Sequence, residues 1–246
     1  MSRIRNHTFS LCAATLMFSG SALTEDDKAL AEMRAKIDTM FAEIGPENVN
    51  SSPIDGWYTV QKGSTVAYVS ADGRYLLQGD LIDLDEQVNL SERSRDNARR
   101  TLLAAVKDDQ AIIFSPIEKK FSVMVFTDVD CTYCRKLHSH LDEYMAQGIE
   151  IRYMLYPRNG PGSPSWAVSE NVWCARNRNE ALTAAKLNRS FESQSCDASA
   201  VTEQYMMGQD IGLTGTPAIV FDDGTLISGY VAPAELSAKL QQAALN

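Results

Sequence analysis

The sequence predicts two mixed α and β units in series, joined by a helix. Three observations lead there. Residues 28–84 carry one amphipathic helical stretch followed by short alternating apolar runs, which is an α+β pattern with an antiparallel sheet. Leu90–Lys107 then runs without Gly or Pro. From Phe121 onward, apolar strands alternate with helical segments, the order of an α/β layer, with extra helices inserted between Ser165 and Gln209.

The chain opens "MSRIRNHTFSLCAATLMFSGSALTEDD". Arg3 and Arg5 form a positive n-region, Phe9 to Phe18 an apolar core, and Gly20-Ser21-Ala22 supplies small residues before a cut. This predicts a secretory signal over residues 1–22. The apolar run is short for a membrane span and meets the acidic stretch Thr24-Glu25-Asp26-Asp27 at once, which disfavours the alternative of a retained anchor. Cys12 lies within the apolar run, lacks the small residue that precedes a lipidated cysteine, and leaves with the signal. The full chain has 246 residues and a net charge of −9; without Arg3 and Arg5 the balance is 21 basic against 32 acidic residues, or −11. Such an acidic chain disfavours a nucleic-acid partner. About 224 residues suffice to bury a core without cysteine staples.

Each element has its own signal. Leu30, Met33, Ile37 and Phe41 recur at helical spacing, predicting a helix over Lys28–Glu43. The turn signals Lys62-Gly63 and Asp72-Gly73 divide three expected strands, Trp57–Val60, Thr65–Val69 and Tyr75–Leu84. Asn89, with Glu92 three residues on, caps the next helix, whose first turns look solvated and which could hold two units about 27 Å apart. The competing reading is an ordinary surface helix of one globule. Beyond it come the strand Phe121–Thr127, a helix from Thr132 to Met145 and the strand "IEIRYMLYP". Helical regions Ser165–Leu187 and Ala198–Gln209 follow, then the strands "PAIVFDD" and "TLISGYV" and a last helix, Pro233–Leu245.

Four cysteines remain in the mature chain: Cys131, Cys134, Cys174 and Cys196. An even number in an exported chain points to disulfides. Cys131 stands where a buried strand turns into a helix, and the free N–H groups and dipole of a helix N-terminus favour a thiolate there. Cys134, one turn on, faces the same side, as a resolving thiol would. Asp130 works against the thiolate. His138 is a candidate to offset Asp130 in part when protonated, an exposed helical histidine being the commoner reading. Zinc is disfavoured, because His138 and His140 are the only mature histidines and the other cysteines lie far away in sequence. In the "TGTPAIVF" segment Pro217 is placed where a proline can be held cis, exposing the Thr216 backbone to an extended peptide; a trans proline starting a strand fits the segment alone nearly as well. Cys174 and Cys196 have no close cysteine neighbour, and we expect them to pair with each other as a structural bridge.

Taken together, "VFTDVDCTYCRKLH", "IRYMLYPRNG", the "WCA" cysteine with its partner 22 residues later, "GLTGTPAIV" and "DGTLISGY" resemble the DsbC/DsbG family of periplasmic disulfide isomerases, closer to DsbC. "DGRYLLQGDLIDL" extends the resemblance into the N-terminal part. It implies a cystatin-like α+β dimerisation domain at 23–88, a linker helix at 89–108, and a thioredoxin-like α/β domain with a helical insertion at 109–246. It also implies a V-shaped homodimer with an apolar cleft. By position, Cys131 matches the nucleophile, Cys134 the second active-site thiol, Thr216-Pro217 the cis-proline loop and Cys174/Cys196 the structural bridge. Thr132 and Tyr133, between the cysteines, are expected at the substrate surface. They depart from the Gly-Tyr usual in DsbC and the Pro-Tyr frequent in DsbG-like chains, and this dipeptide tunes redox poise.

The activity expected from these features is isomerisation of wrong disulfides in unfolded or misoxidised exported proteins, without metal or organic cofactor. The periplasm is oxidising, so the resemblance implies a membrane reductase of the DsbD type as electron donor. Two other readings use the same features: a DsbG-like reductase of sulfenylated cysteines, and a holdase chaperone whose cleft binds unfolded chain.

Overall fold

A computed structural model describes residues 25–245. The expected signal at 1–22 lies outside the described residues. Helix α1 (Glu25–Met40) is followed by a four-stranded antiparallel sheet in the order β1 (Val49–Ser51), β2 (Trp57–Lys62), β3 (Thr65–Ser70), β4 (Leu76–Leu77). Met33 and Ile37 of α1 bury against Val49, Val60 and Val69, giving this small unit its own core. Gly63 sits at φ +55, a conformation that suits glycine at the β2–β3 turn.

Two expectations change here. The short strand β1 was not anticipated. The expected strand Tyr75–Leu84 breaks in two: β4 pairs with β3, while β5 (Ile82–Asp83) forms a separate ladder with β6 (Val88–Asn89). The cause lies at the head of the next helix, α2 (Leu90–Ala104). Asp80 accepts from Asn89 Nδ2 at 2.9 Å and from Arg95 at 2.6 Å, and the Leu81 amide donates to Ser91 Oγ at 2.8 Å. These bonds draw the chain away from the sheet.

Asn89 does cap α2, accepting from the Glu92 amide at 2.8 Å. The Glu92 carboxylate, however, turns to Arg95 (2.6 Å) and Arg99 (2.7 Å). Fifteen residues give α2 a length of about 22 Å, shorter than expected. Nor is it a free strut. Ser91 and Arg99 are buried, Tyr68 meets Ser91 at 2.5 Å, and Leu102 and Leu103 pack into the core of the second unit. Arg99 Nε donates to Ile211 O at 3.2 Å, and the Ser64 amide to Asp210 O at 2.8 Å, so bonds from both the sheet turn and α2 reach the second unit.

That second unit is built on a five-stranded sheet, ordered β11 (Leu226–Ser228), β10 (Ala218–Phe221), β8 (Phe121–Thr127), β9 (Ile149–Leu155), β7 (Ile112–Phe114). Only β8 and β9 run parallel; the other pairings are antiparallel. Alternation along central β8 sends Val123 and Val125 to one core, and Met124 and Phe126 to the other. Layers therefore cover both faces. On the first lie α4 (Leu141–Ala146), α5 (Pro164–Trp173), α6 (Arg178–Lys186) and α8 (Pro233–Ala243), which contribute Tyr144, Trp173, Leu182 and Leu236 to the larger core. On the second, Ile211 of α7 (Ser199–Ile211) joins the end of α2.

Two expected helices are interrupted. The stretch from Thr132 divides into α3 (Thr132–Ser139) and α4 at His140, because the His140 ring and Ser139 Oγ both contact the Lys136 carbonyl while the His140 amide bonds Leu137 O instead. The region Ser165–Leu187 divides into α5 and α6. Cys174 ends α5, and Asn177 starts α6 anew by accepting from the Glu180 amide.

Candidate active site

Strand β8 delivers the chain to a loop beneath α3. Asp128 in that loop is 1% exposed, and its carboxylate accepts from the amides of Asp130 (2.9 Å) and Arg158 (3.0 Å) and from Arg158 Nε (3.0 Å). The loop is thereby fixed to the end of the "YPRNG" segment. Cys131 is the N-cap of α3, with extended backbone at φ −81 and ψ 123. Its sulfur accepts from the Cys134 amide at 3.4 Å, one of the helix's otherwise unpaired donors.

The register of β10 on β8 pairs Ala218 with Phe126, which brings Pro217 beside the end of the strand that leads into the CxxC. The Thr216-Pro217 bond is cis, and the Gly229 amide holds the Pro217 carbonyl at 2.7 Å. Cys131 Sγ lies 3.2 Å from Thr216 O. Thr132 and Tyr133 are exposed beside the opening, Tyr133 at 59%.

The two sulfurs have opposite environments. Cys131 is drawn down to about 5, first by the hydrogen bond from the Cys134 thiol, then by the Thr216 hydroxyl, the Cys134 amide and the Arg158 charge, all acting against burial. Cys134, with no exposed surface, is pushed up, first by burial and then by the bond it gives Cys131. Thr216 Oγ1 is buried without a hydrogen-bond partner among the described residues, so its proton is free to turn to a charged sulfur. One thiol is a thiolate near neutral pH while its neighbour keeps its proton. Such a pair has the chemistry that thiol–disulfide exchange requires.

The structure thus brings Cys131, Cys134, Thr216 and Pro217 together, with Thr132 and Tyr133 at the rim. Cys174 and Cys196 are elsewhere: they form a disulfide with Cα atoms 5.6 Å apart, joining the end of α5 to the segment before α7. His138 requires correction. It is 7% exposed rather than a surface residue, lies between Tyr153 OH (3.2 Å) and Thr183 Oγ1 (2.9 Å), and burial lowers it to about 3. It stays neutral and offsets nothing. Asp130 is turned outward, 3.5 Å from Arg135. Arg158, Asp128 and Lys186 take part in the site's electrostatics and were not expected. Arg158 lies inside a quoted motif, whereas Lys186 has no local signal.

The family described as thioredoxin-like domain matches residues 108–244, and the one described as disulfide bond isomerase protein N-terminal domain matches residues 21–92. The thiol:disulfide interchange protein DsbC of Dickeya dadantii is 37% identical over 226 residues, covering 92% of this chain and 91% of its own. The chain belongs to the DsbC family. The DsbC of Escherichia coli is 33% identical over 236 residues, covering 95% of this chain and 94% of its own. A disulfide interchange protein from Neisseria gonorrhoeae, known from a crystal structure, is 26% identical with a TM-score of 0.48, covering 56% of this chain and 97% of that one. Membership of the DsbC family accords with the two-unit architecture. Among the described residues, no helix is long and apolar enough to cross a membrane.

Proposed function

We propose that this chain is a periplasmic disulfide isomerase that works as a homodimer, with Cys131 as nucleophile and Cys134 as resolving thiol. The observation that carries the proposal is the charge asymmetry of the two sulfurs beside the Thr216-Pro217 backbone. The Cys131 thiolate attacks a wrong disulfide, its sulfur bonding one substrate sulfur while the other leaves as a thiolate. The freed substrate thiolate then attacks elsewhere in its own chain and finally displaces Cys131. Where that stalls, Cys134 attacks Cys131, releases the substrate reduced and leaves the site oxidised. A membrane reductase of the DsbD type would restore the dithiol. Thr216 would pair its backbone with extended substrate, and Thr132 and Tyr133 would contact it.

In this proposal residues 23–88 dimerise, 89–108 link and 109–246 catalyse, after removal of the signal at 1–22. The exposed apolar side chains Tyr75, Leu76 and Leu77 lie on or beside edge strand β4, and Ile82 and Leu84 on or beside β5, apolar surface suited to a second copy. The test compares the mature chain with a truncation starting at Asn89, which keeps α2 packed on the second unit, on a scrambled multi-disulfide substrate. The mature chain should sediment as a dimer and isomerise, whereas the truncation should be monomeric, keep simple exchange and lose most isomerisation. A monomeric mature chain, or equal isomerisation by the truncation, would refute the dimeric cleft. Mature protein that exchanges thiols but isomerises nothing would refute the activity itself.

A further inference from the structure

Helix α7 runs into the loop that carries Thr216, and the way the helix ends ties that loop to the other unit. A helix leaves its last four carbonyls without partners of its own. In α7 these belong to Gly208, Gln209, Asp210 and Ile211. The local turn takes the first two: the Gly212 amide donates to Gln209 O at 2.9 Å and the Leu213 amide to Gly208 O at 3.1 Å, with Gly212 at φ +82. Donors from far away in the chain take the other two. The Ser64 amide, in the β2–β3 turn, donates to Asp210 O at 2.8 Å, and Arg99 Nε, in α2, donates to Ile211 O at 3.2 Å. Ser64 and Arg99 are each 4% exposed. Glu92 (2.7 Å) and Asp96 (3.0 Å) hold the Arg99 guanidinium in turn, and its charge faces the negative end of α7.

Beyond this cap little holds the backbone. Among the described residues, no backbone–backbone hydrogen bond involves Thr214, Gly215 or Thr216. The segment is fixed at its ends instead, by the α7 cap on one side and by β10 and the Gly229–Pro217 bond on the other. We propose that Arg99 and the Gly63-Ser64 turn position the Thr216-Pro217 loop against Cys131, coupling the N-terminal unit to the redox centre of its own chain. The coupling rests on the redox reading of the CxxC. Arg99 is then a positioning residue, which touches neither substrate nor sulfur and acts through the end of α7. When the cap opens, the helix end frays and Thr216 O leaves its place 3.2 Å from Cys131 Sγ. The thiolate loses the nearby Thr216 hydroxyl, and extended substrate loses a fixed edge. Because coupling is reciprocal, the state of Cys131 also sets the strength of the cap.

The test uses the full mature chain and two substitutions that open the cap differently. Arg99→Met removes the donor to Ile211 O. Gly63→Ala changes no charge, and its methyl group would lie 2.5 Å from Asp210 O, where backbone must move. In both, the pH midpoint for alkylation of Cys131 should rise by at least about 0.5. Attack on a peptide disulfide should also slow at least about threefold relative to attack on bis(2-hydroxyethyl) disulfide, which needs no backbone edge. A change in only one variant, or in neither, overturns the coupling; in Arg99→Met alone it traces to the lost charge. A second measurement needs no variant. In the oxidised wild type Thr216 has no thiolate to face, so the Ser64 amide should exchange its hydrogen at least about threefold faster than in the reduced protein. Equal exchange overturns the coupling whether or not the variants fold. Wild-type protein whose Cys131 neither alkylates selectively nor exchanges with disulfides would overturn the redox reading as well, whereas normal wild-type exchange with both variants unchanged overturns the coupling alone.

Discussion

Lowering the pH from 7 to 5 should remove stability from the reduced protein and leave the oxidised protein as a control. Cys131 titrates at about 5 in the folded dithiol, against about 8.5 for an unfolded cysteine. Because the folded value is the lower one, its contribution is complete above about 8.5 and is lost as pH falls toward 5. Between pH 7 and pH 5 linkage gives a loss of about 2 kcal/mol. Solvent at the mouth of the site screens part of that, so about 1 kcal/mol is the working figure. The oxidised form carries no thiolate and should show none of this loss, while Cys134 stays protonated across this range and the groups outside the CxxC are common to both forms. Urea unfolding of reduced and oxidised protein at pH 5, 6 and 7 measures the difference directly. Alkylation rates supply the same midpoint kinetically, with Cys131 as the labelled residue. A pH-independent stability difference, a labelled thiol titrating near 8, or label on Cys134 would refute the reasoning.

Other substitutions separate the remaining roles. Cys134→Ala should accumulate mixed disulfides with substrate proteins on non-reducing gels, and Cys131→Ala should not. Pro217→Ala should weaken or prolong substrate complexes while the Cys131–Cys134 bond still forms, as read by thiol trapping. Replacing both Cys174 and Cys196 by Ala should cost about 3 kcal/mol in the catalytic unit, from the entropy of a loop this long, and leave the glutathione equilibrium of the CxxC unchanged. Arg99→Ala should cost about 2 kcal/mol, because it leaves the Ile211 carbonyl unpaired beneath α2, and should raise hydrogen exchange at the Ser64 amide.

The sequence signals that were legible are local. Asn89 caps α2 through a neighbour three residues away, and Cys131 caps α3 through Cys134, so a short window of sequence contains the whole interaction. The alternation that sends Val123 and Val125 to one core and Phe126 to the other is equally contained in its own strand. What was not legible depends on partners far away in the chain. His138 is buried because Thr183 of α6 and Tyr153 of β9 close over it, and nothing near His138 in sequence announces either. Lys186 looks like the solvated end of a helix until Thr127, fifty-nine residues earlier, receives it. The strand expected at Tyr75–Leu84 breaks because Asp80 has partners at Asn89 and Arg95, and local β-propensity has no term for that competition.

The pairing of a charged sulfur with a protonated one also bears on why this site suits isomerisation. An oxidase benefits from fast closure of its own disulfide, since each closure completes one turnover. An isomerase needs the mixed disulfide at Cys131 to live long enough for a freed substrate thiol to find another sulfur. Burial of Cys134, together with the bond it gives Cys131, holds the resolving thiol in its unreactive form. Cys131 meanwhile is ready to attack at neutral pH without a further proton transfer. On this argument Cys134→Ser should retain isomerisation of substrates that resolve themselves and lose only the rescue of stalled complexes. If Cys134→Ser abolished isomerisation altogether, cycles of reduction and reoxidation would be the main route, and the long-lived mixed disulfide would not be the working intermediate.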